Sequence, residues 1–316
     1  MFNRRIIRIK VLQTLFAYYS GALSSLQEAE NDLKYAFDRA YDLYFFLLLL
    51  VIELRDLADN KLSKAKKKFL PTDLDLNPNT KFVNNKLIVQ LKENNHLNLY
   101  LKDRKYTWTK DPDLLKEIYE EFIKTDAYTE YLASDDNSYK ADKNIIESFF
   151  IDFLFNSETL YSALEEESIY WVDGIDYVLK KIAKSISKFS IGDDMTKKLL
   201  LKFKNSDDLE YGLKLLHKSI LKKDEFSVVV QDNIVNWDFD RISFIDKIIL
   251  QLAVTELIEF DEIPIKVTLN EYIELAKWYG IPKKSSNFVN GILDKIVKDL
   301  KEKDKIKKSG RGLKDK

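Results

Sequence analysis

The sequence predicts an all-α bundle. Apolar residues recur at three- and four-residue spacing over most of the chain, few segments alternate as strands do, and short polar loops separate the helical patterns. With 316 residues, 45% hydrophobic and 33% charged, the chain has ample apolar surface for about two domains.

Residues 3–20 form the first predicted helix, with Ile7, Val11, Leu15 and Tyr18 along one face and Leu12, Phe16 and Tyr19 widening it. Arg4 and Arg8 lie one turn apart on it. Ser20-Gly21 ends it, and Ser24 or Ser25 starts a long pattern through Leu26, Leu33, Phe37, Leu43 and Leu47 to about Leu62. Pro71, Asn77, Pro78 and Asn79 mark a loop. Between Phe82 and Trp108 the helical signal is poor. It returns from Asp113 to about Ser187, broken near Ser134–Ser138 and at Gly174, and a further helix is predicted from Met195 to Phe203. Leu209 to Trp237 reads as one or two helices, followed by a turn at Asp238-Phe-Asp240.

Ser243 with Asp246 can cap the next helix, which carries Ile245, Ile248, Ile249, Leu252, Ala253, Leu257 and Ile258. It is apolar on most sides, as the central helix of a bundle would be. Thr268 and Glu271 have capping-box spacing, Gly280 marks a helix stop, and Pro282 forbids continuation. Ser285 or Ser286 can cap a last helix, whose apolar stripe is Val289, Ile292, Leu293, Ile296 and Leu300. Gly291 in that helix serves either close packing or the approach of a ligand.

The 51 basic and 52 acidic residues nearly cancel, but their distribution is uneven. No Asp or Glu precedes Glu28, whereas Arg4, Arg5, Arg8 and Lys10 do. Residues 295–316 hold ten basic and four acidic side chains, a net of +6. Residues 111–170 hold four basic and sixteen acidic ones, a net of −12. Without cysteine there is no disulfide, thiolate metal site or cysteine nucleophile, which fits a reducing cytoplasm. Two distant histidines, His96 and His217, argue against a histidine metal site or a catalytic triad. The only G-x-G, Gly310 and Gly312, lies in the charged tail with no strand before it. The composition thus points to no catalytic residue, metal or cofactor. The apolar run Leu43–Ile52 is half the ~20 residues of a membrane span, so it reads as a buried helix. Arg8 and Lys10 interrupt the apolar N-terminus, unlike a signal peptide.

Several blocks resemble the NusB family of RNA-binding antitermination factors. Arg4-Arg5-Ile-Ile-Arg8 with Leu12-Gln-Thr-Leu-Phe16 resembles the family's first helix. Trp237-Asp-Phe-Asp-Arg-Ile, Asp246-Lys-Ile-Ile-Leu-Gln-Leu-Ala253, Pro264-Ile-Lys-Val-Thr-Leu-Asn-Glu271 and Phe288-Val-Asn-Gly-Ile-Leu-Asp294 resemble its later helices. The resemblance implies a NusB-like double helical bundle with an inserted helical subdomain. Its boundaries are 1–60 for the N-terminal helices, 61–206 for an insertion of unassigned role, 207–302 for the C-terminal bundle and 303–316 for a basic, disordered tail.

It also implies a cytoplasmic, non-enzymatic factor. Such a factor binds boxA-like single-stranded RNA of nascent ribosomal RNA leaders together with NusE, a small-subunit ribosomal protein. Other Nus factors and RNA polymerase join indirectly. Arg4, Arg5, Arg8 and Lys10 are then expected to meet RNA phosphates, and Phe288 to stack on a base. Phe16 and Asp246 are expected at the RNA and NusE edge, and Asn290 and Gly291 match the end of the motif. The turn Lys283-Lys284-Ser-Ser-Asn287 departs from the family pattern: Asn287 replaces a base-contacting lysine, and Lys283 and Lys284 bring charge nearby. The residues alone also allow a solvated arginine face and core positions for Phe16 and Phe288. Three other functions stay open: a protein-only module, an RNA-binding partner of a ribosomal RNA-modifying enzyme, and a self-associating form.

Overall fold

The computed structural model describes residues 1–234 and 242–314, and all regular structure among them is helical. The first helix, Arg4–Tyr19 (α1), is capped by Asn3, whose side chain accepts from the Ile6 amide at 3.1 Å. The second, Leu26–Lys66 (α2), begins where Ser25 accepts from the Glu28 amide and Glu28 reaches back to Ser24. Leu43–Ile52 lies inside α2 and is buried apart from a half-buried Leu49. No helix among the described residues is long and apolar enough to cross a membrane.

Short helices follow: Asp73–Leu76 (α3), Lys86–Lys92 (α4), Asn95–Lys102 (α5), Pro112–Phe122 (α6), Asp126–Ala133 (α7), Tyr139–Ser148 (α8), Glu158–Glu167 (α9) and Ile175–Ile186 (α10). The chain then forms Ser206–Leu221 (α11), Lys223–Asp232 (α12), Phe244–Glu259 (α13), Ile265–Tyr279 (α14) and Lys284–Glu302 (α15). Contacts gather these elements into two compact units. A terminal unit comprises Phe2–Phe37 and Phe203–Lys316, and a central unit comprises Met1 and Asp38–Lys202. Helix α2 contributes residues to both.

The core of the central unit is aromatic. Phe45 stacks on Tyr100 at 3.8 Å and Phe46 on Trp108 at 4.1 Å, while Trp171 is fully buried. Within it, buried Asp42 accepts from Tyr100, Arg104 and Tyr106 at 2.7–3.0 Å. Asn85 is wholly buried, caps α4 through the Leu87 and Ile88 amides, and donates to the Asp142 carbonyl at 2.9 Å. Replacing Asn85 with alanine removes the cap and the hydrogen bond to the Asp142 carbonyl. The central unit should lose about 1–3 kcal/mol. Urea denaturation followed by tryptophan fluorescence measures this, and an unchanged midpoint would contradict the role given to Asn85.

Local pattern and structure part in several places. Residues 195–203 form no helix. Their backbone is bound by side chains and amides instead: Met195 O accepts from the Asn95 amide, Lys197 O from Asn94, Leu200 O from the Tyr41 hydroxyl, and the Leu199 amide donates to His96. Tertiary partners satisfy groups that a helix would have satisfied within itself. Conversely, the weak stretch 82–108 holds α4 and α5, each started by a buried Asn cap rather than by strong periodicity. The expected cap at Thr268 is overturned. Helix α14 starts at Ile265, and Thr268 is a fully buried interior residue donating to Glu256 at 2.8 Å. Ser285 lies within α15, where it donates to Asp246 instead of capping. Ser243 does cap α13, and Gly280 ends α14. The expected turn at Asp238–Asp240 and the Trp237 motif lie outside the described residues.

Candidate nucleic-acid interface

Helix α1 begins with arginine at its first, second and fifth positions and has no acidic residue in its first turn. Cations at a helix N-terminus face the positive end of the macrodipole, so this placement opposes the local preference. The terminal unit compensates with carboxylates from α13 and α14. Arg8 is 3% exposed and makes a fork to Glu256, at 2.7 Å through Nε and 2.8 Å through a terminal nitrogen. Tyr211 and Tyr272 also donate to Glu256, as does Thr268, so this fully buried carboxylate is surrounded by donors. Burial opposes its ionisation, but the Arg8 charge and these hydrogen bonds hold its pKa below the ordinary 4.5.

Arg5 makes a second fork, to Glu271 at 2.6 and 2.8 Å, yet leaves 42% of its side chain exposed. Arg4 lies 5.0 Å over the Tyr211 ring and makes no ion pair among the described residues. Arg4, Arg5, Arg8 and Glu271 share the wall of an open cleft of about 480 Å³. Lys10, the fourth cation expected at RNA phosphates, is inside the unit at 3% exposed. The structure thus separates cations that the helical spacing had grouped: Arg4 and Arg5 face the cleft, while Arg8 has its fork committed to Glu256.

A second surface forms at the start of α13 and α15. Ile242, Asp246, Ile281, Lys284, Asn287, Phe288 and Gly291 line a cavity of about 620 Å³. Asp246 is 4% exposed; one carboxylate oxygen accepts from Ser285 at 2.7 Å, and the other is buried without a hydrogen-bond partner among the described residues. No atom lies within 4 Å of a Cβ added at Gly291, so the structure favours approach from outside over close packing at this glycine. Phe288 is half-buried. Phe16 is 44% exposed, 5.3 Å edge-on from Phe244, and so not a core residue. Lys283 and Asn290 are exposed but outside the cavity wall, and Lys283 precedes α15 with φ of 60°. Along α1, Arg4 and Phe16 are separated by about 18 Å at 1.5 Å per residue.

Glu256 was missed by reading for surface charge. The available signal was the one charged residue in the largely apolar stretch Ile248–Leu257. The histidines have separate local partners: His96 accepts from Leu199, and His217 meets Glu30 at 2.8 Å.

Comparisons with known proteins match part of the chain. Residues 191–298 match the family model described as the NusB family. Transcription antitermination protein NusB of Salinibacter ruber is 38% identical over 104 residues, which is 33% of this chain and 64% of that protein. Its namesake in Chloroherpeton thalassium is 38% identical over 106 residues, covering 34% and 50%. The one in Fervidobacterium nodosum is 46% identical over 78 residues, covering 25% and 55%. The chain spans between half and two-thirds of the length of these relatives. No solved structure matches.

Proposed function

We propose that this chain, whose residues 191–298 carry a NusB-family domain, is a non-enzymatic transcription antitermination factor that binds boxA-like RNA with NusE as protein partner. The observation that carries the reading is the N-terminal cleft. It concentrates arginines at a helix start that disfavours them, and leaves Arg4 and much of Arg5 open. Guanidinium forks suit phosphate oxygens and add salt-dependent affinity. Arg4 and Arg5 take the phosphate contacts; Arg8 and Lys10 support them from inside. Phe288 offers a ring for an unpaired base, with Asn287, Lys283, Lys284 and Asn290 around it. Phe16 and the Asp246 carboxylate serve the protein partner. The acidic segment 111–170 repels RNA and so leaves the terminal unit as the binding part.

Fluorescence anisotropy of labelled boxA RNA against a scrambled RNA, with and without cognate NusE, at two salt concentrations tests this. Selective binding that tightens with NusE is expected. Equal weak binding to both RNAs in both conditions would overturn it. Phe288→Ala should weaken boxA binding by about 1–3 kcal/mol, the worth of one stacked base. Loss of NusE binding on altering Asp246, with no RNA bound by the parent protein, would instead establish a protein-only module. Sedimentation with and without RNA reads self-association in the same samples.

A further inference from the structure

The cleft beside the N-terminal arginines has a second wall, built by the C-terminal tail. Arg311 and Lys314 line the same cavity as Arg4 and Arg5. The tail reaches it through specific contacts. Lys308 donates to the Leu257 and Phe260 carbonyls, at 3.0 and 2.9 Å, as cations do at the end of a helix. The Ser309 amide donates to the Asp261 carbonyl at 3.1 Å. Gly310 then turns with φ of 51°, a conformation side chains disfavour. Gly312 is buried so closely on Asp261 that a Cβ would lie 2.0 Å from its carbonyl oxygen. The isolated Gly-x-Gly of the sequence is therefore not a nucleotide loop. It is the bend that lays the tail down and holds Arg311 outward, with 71% of its side chain exposed.

The wall is cationic; Arg5 and Arg8 are paired with Glu271 and Glu256, and Arg4 holds no ion pair among the described residues. Five basic side chains and two carboxylates, Glu262 and Glu271, line the cleft, a net of +3. Arg311 approaches Glu262 at 3.7 Å, but both side chains are about 70% exposed, and so open a pair exchanges readily for a phosphate. Lys314 makes no ion pair among the described residues. We propose that the tail residues Arg311 and Lys314 close a two-sided phosphate clamp with Arg4 and Arg5, gripping the backbone of single-stranded RNA. The clamp rests on the RNA-binding reading above but is independent of which bases are read.

The test uses the full chain and two probes, boxA RNA and oligouridylate of equal length. Arg311→Ala with Lys314→Ala should weaken both by about tenfold or more at low salt. It should also flatten the slope of log affinity against log salt by about 0.7 per lost contact. Gly312→Val keeps every charge but cannot seat the tail, and should reproduce the loss, with the circular dichroism spectrum showing an intact helical fold. Lys305→Ala with Lys307→Ala removes the same charge outside the cleft and should leave the slope unchanged. Equal losses in this control would overturn the clamp in favour of diffuse attraction. Unchanged binding in the Arg311 and Lys314 variant, or tighter binding in either tail variant, would also overturn it. A parent that fails to prefer boxA yet loses oligouridylate on these changes keeps the clamp and refutes the boxA reading. A parent that binds neither RNA refutes both.

Discussion

Replacing Glu256 with alanine is expected to destabilise the terminal unit by about 3–5 kcal/mol, because Arg8 would be left charged and without its partner inside the unit. Both side chains are essentially buried, at 3% and 0% exposed. The same carboxylate is the acceptor for Tyr211, Thr268 and Tyr272, so its loss strands donors from α11 and α14 as well. Urea denaturation followed by helical signal measures the change. A cost below about 1 kcal/mol would contradict the buried network. The double replacement Arg8→Met with Glu256→Leu removes both charges and should recover the part of the stability lost to the unpaired Arg8, while Tyr211, Thr268 and Tyr272 still lack their acceptor. If it does while boxA affinity holds, Arg8 supports the site from inside; if affinity falls with stability intact, Arg8 meets RNA directly.

The network also fixes an acid limit. Glu256 has a lower pKa folded than its ordinary 4.5, so its contribution is complete above that value and is lost as pH falls through the folded value. Tyr211 and Tyr272 shift the other way: burial, then the Glu256 charge, raises both well above 10. Their contribution is complete below 10 and is lost as pH climbs through the raised values. The terminal unit should therefore weaken below about pH 4.5 and above about pH 10. The Arg8→Met, Glu256→Leu protein should lose the Glu256 share of the acid dependence, keeping that of Glu259 and the other carboxylates held below their ordinary values.

Reversing the charge of Arg4 should produce the largest loss of RNA affinity without loss of fold. Its guanidinium faces the cleft and holds no ion pair among the described residues, so Arg4→Glu breaks no salt bridge there. A charge-assisted contact is worth about 1.5–3 kcal/mol, and repulsion adds to its loss, so a fall of roughly 100-fold at low salt is expected. The difference should shrink as salt rises. Arg5→Glu should act less cleanly, because it also sets two carboxylates together at Glu271. Unaltered affinity in Arg4→Glu, with boxA still bound selectively, would move the phosphate site away from this cleft.

The legible parts of the chain were those whose cause is local. Helical periodicity located α1, α2, α13, α14 and α15; Ser243 and Gly280 located two of their ends. The failures share one origin. Thr268 had the right spacing for a cap but is used by Glu256, twelve residues upstream. Residues 195–203 had helical spacing but surrender their backbone to Asn94, His96 and Tyr41. In both cases a partner distant in sequence or on another element outbid the local choice, as tertiary contacts commonly do.

The sequence by itself determined the all-α class, the uneven charge, the position of the family-like blocks and the absence of cysteine chemistry, because composition and spacing express these directly. Only the tertiary structure decided which cations face solvent. Arg4, Arg5, Arg8 and Lys10 share one short segment, yet Arg4 and Arg5 open into the cleft, Arg8 touches its wall while nearly all buried, and Lys10 is buried away from it. Only it showed that Gly310 and Gly312 bring a tail from the far end of the chain to the same arginines. A helix repeats every 3.6 residues, so spacing assigns a side chain to a face. What that face meets depends on helices far away in sequence, and spacing does not record it.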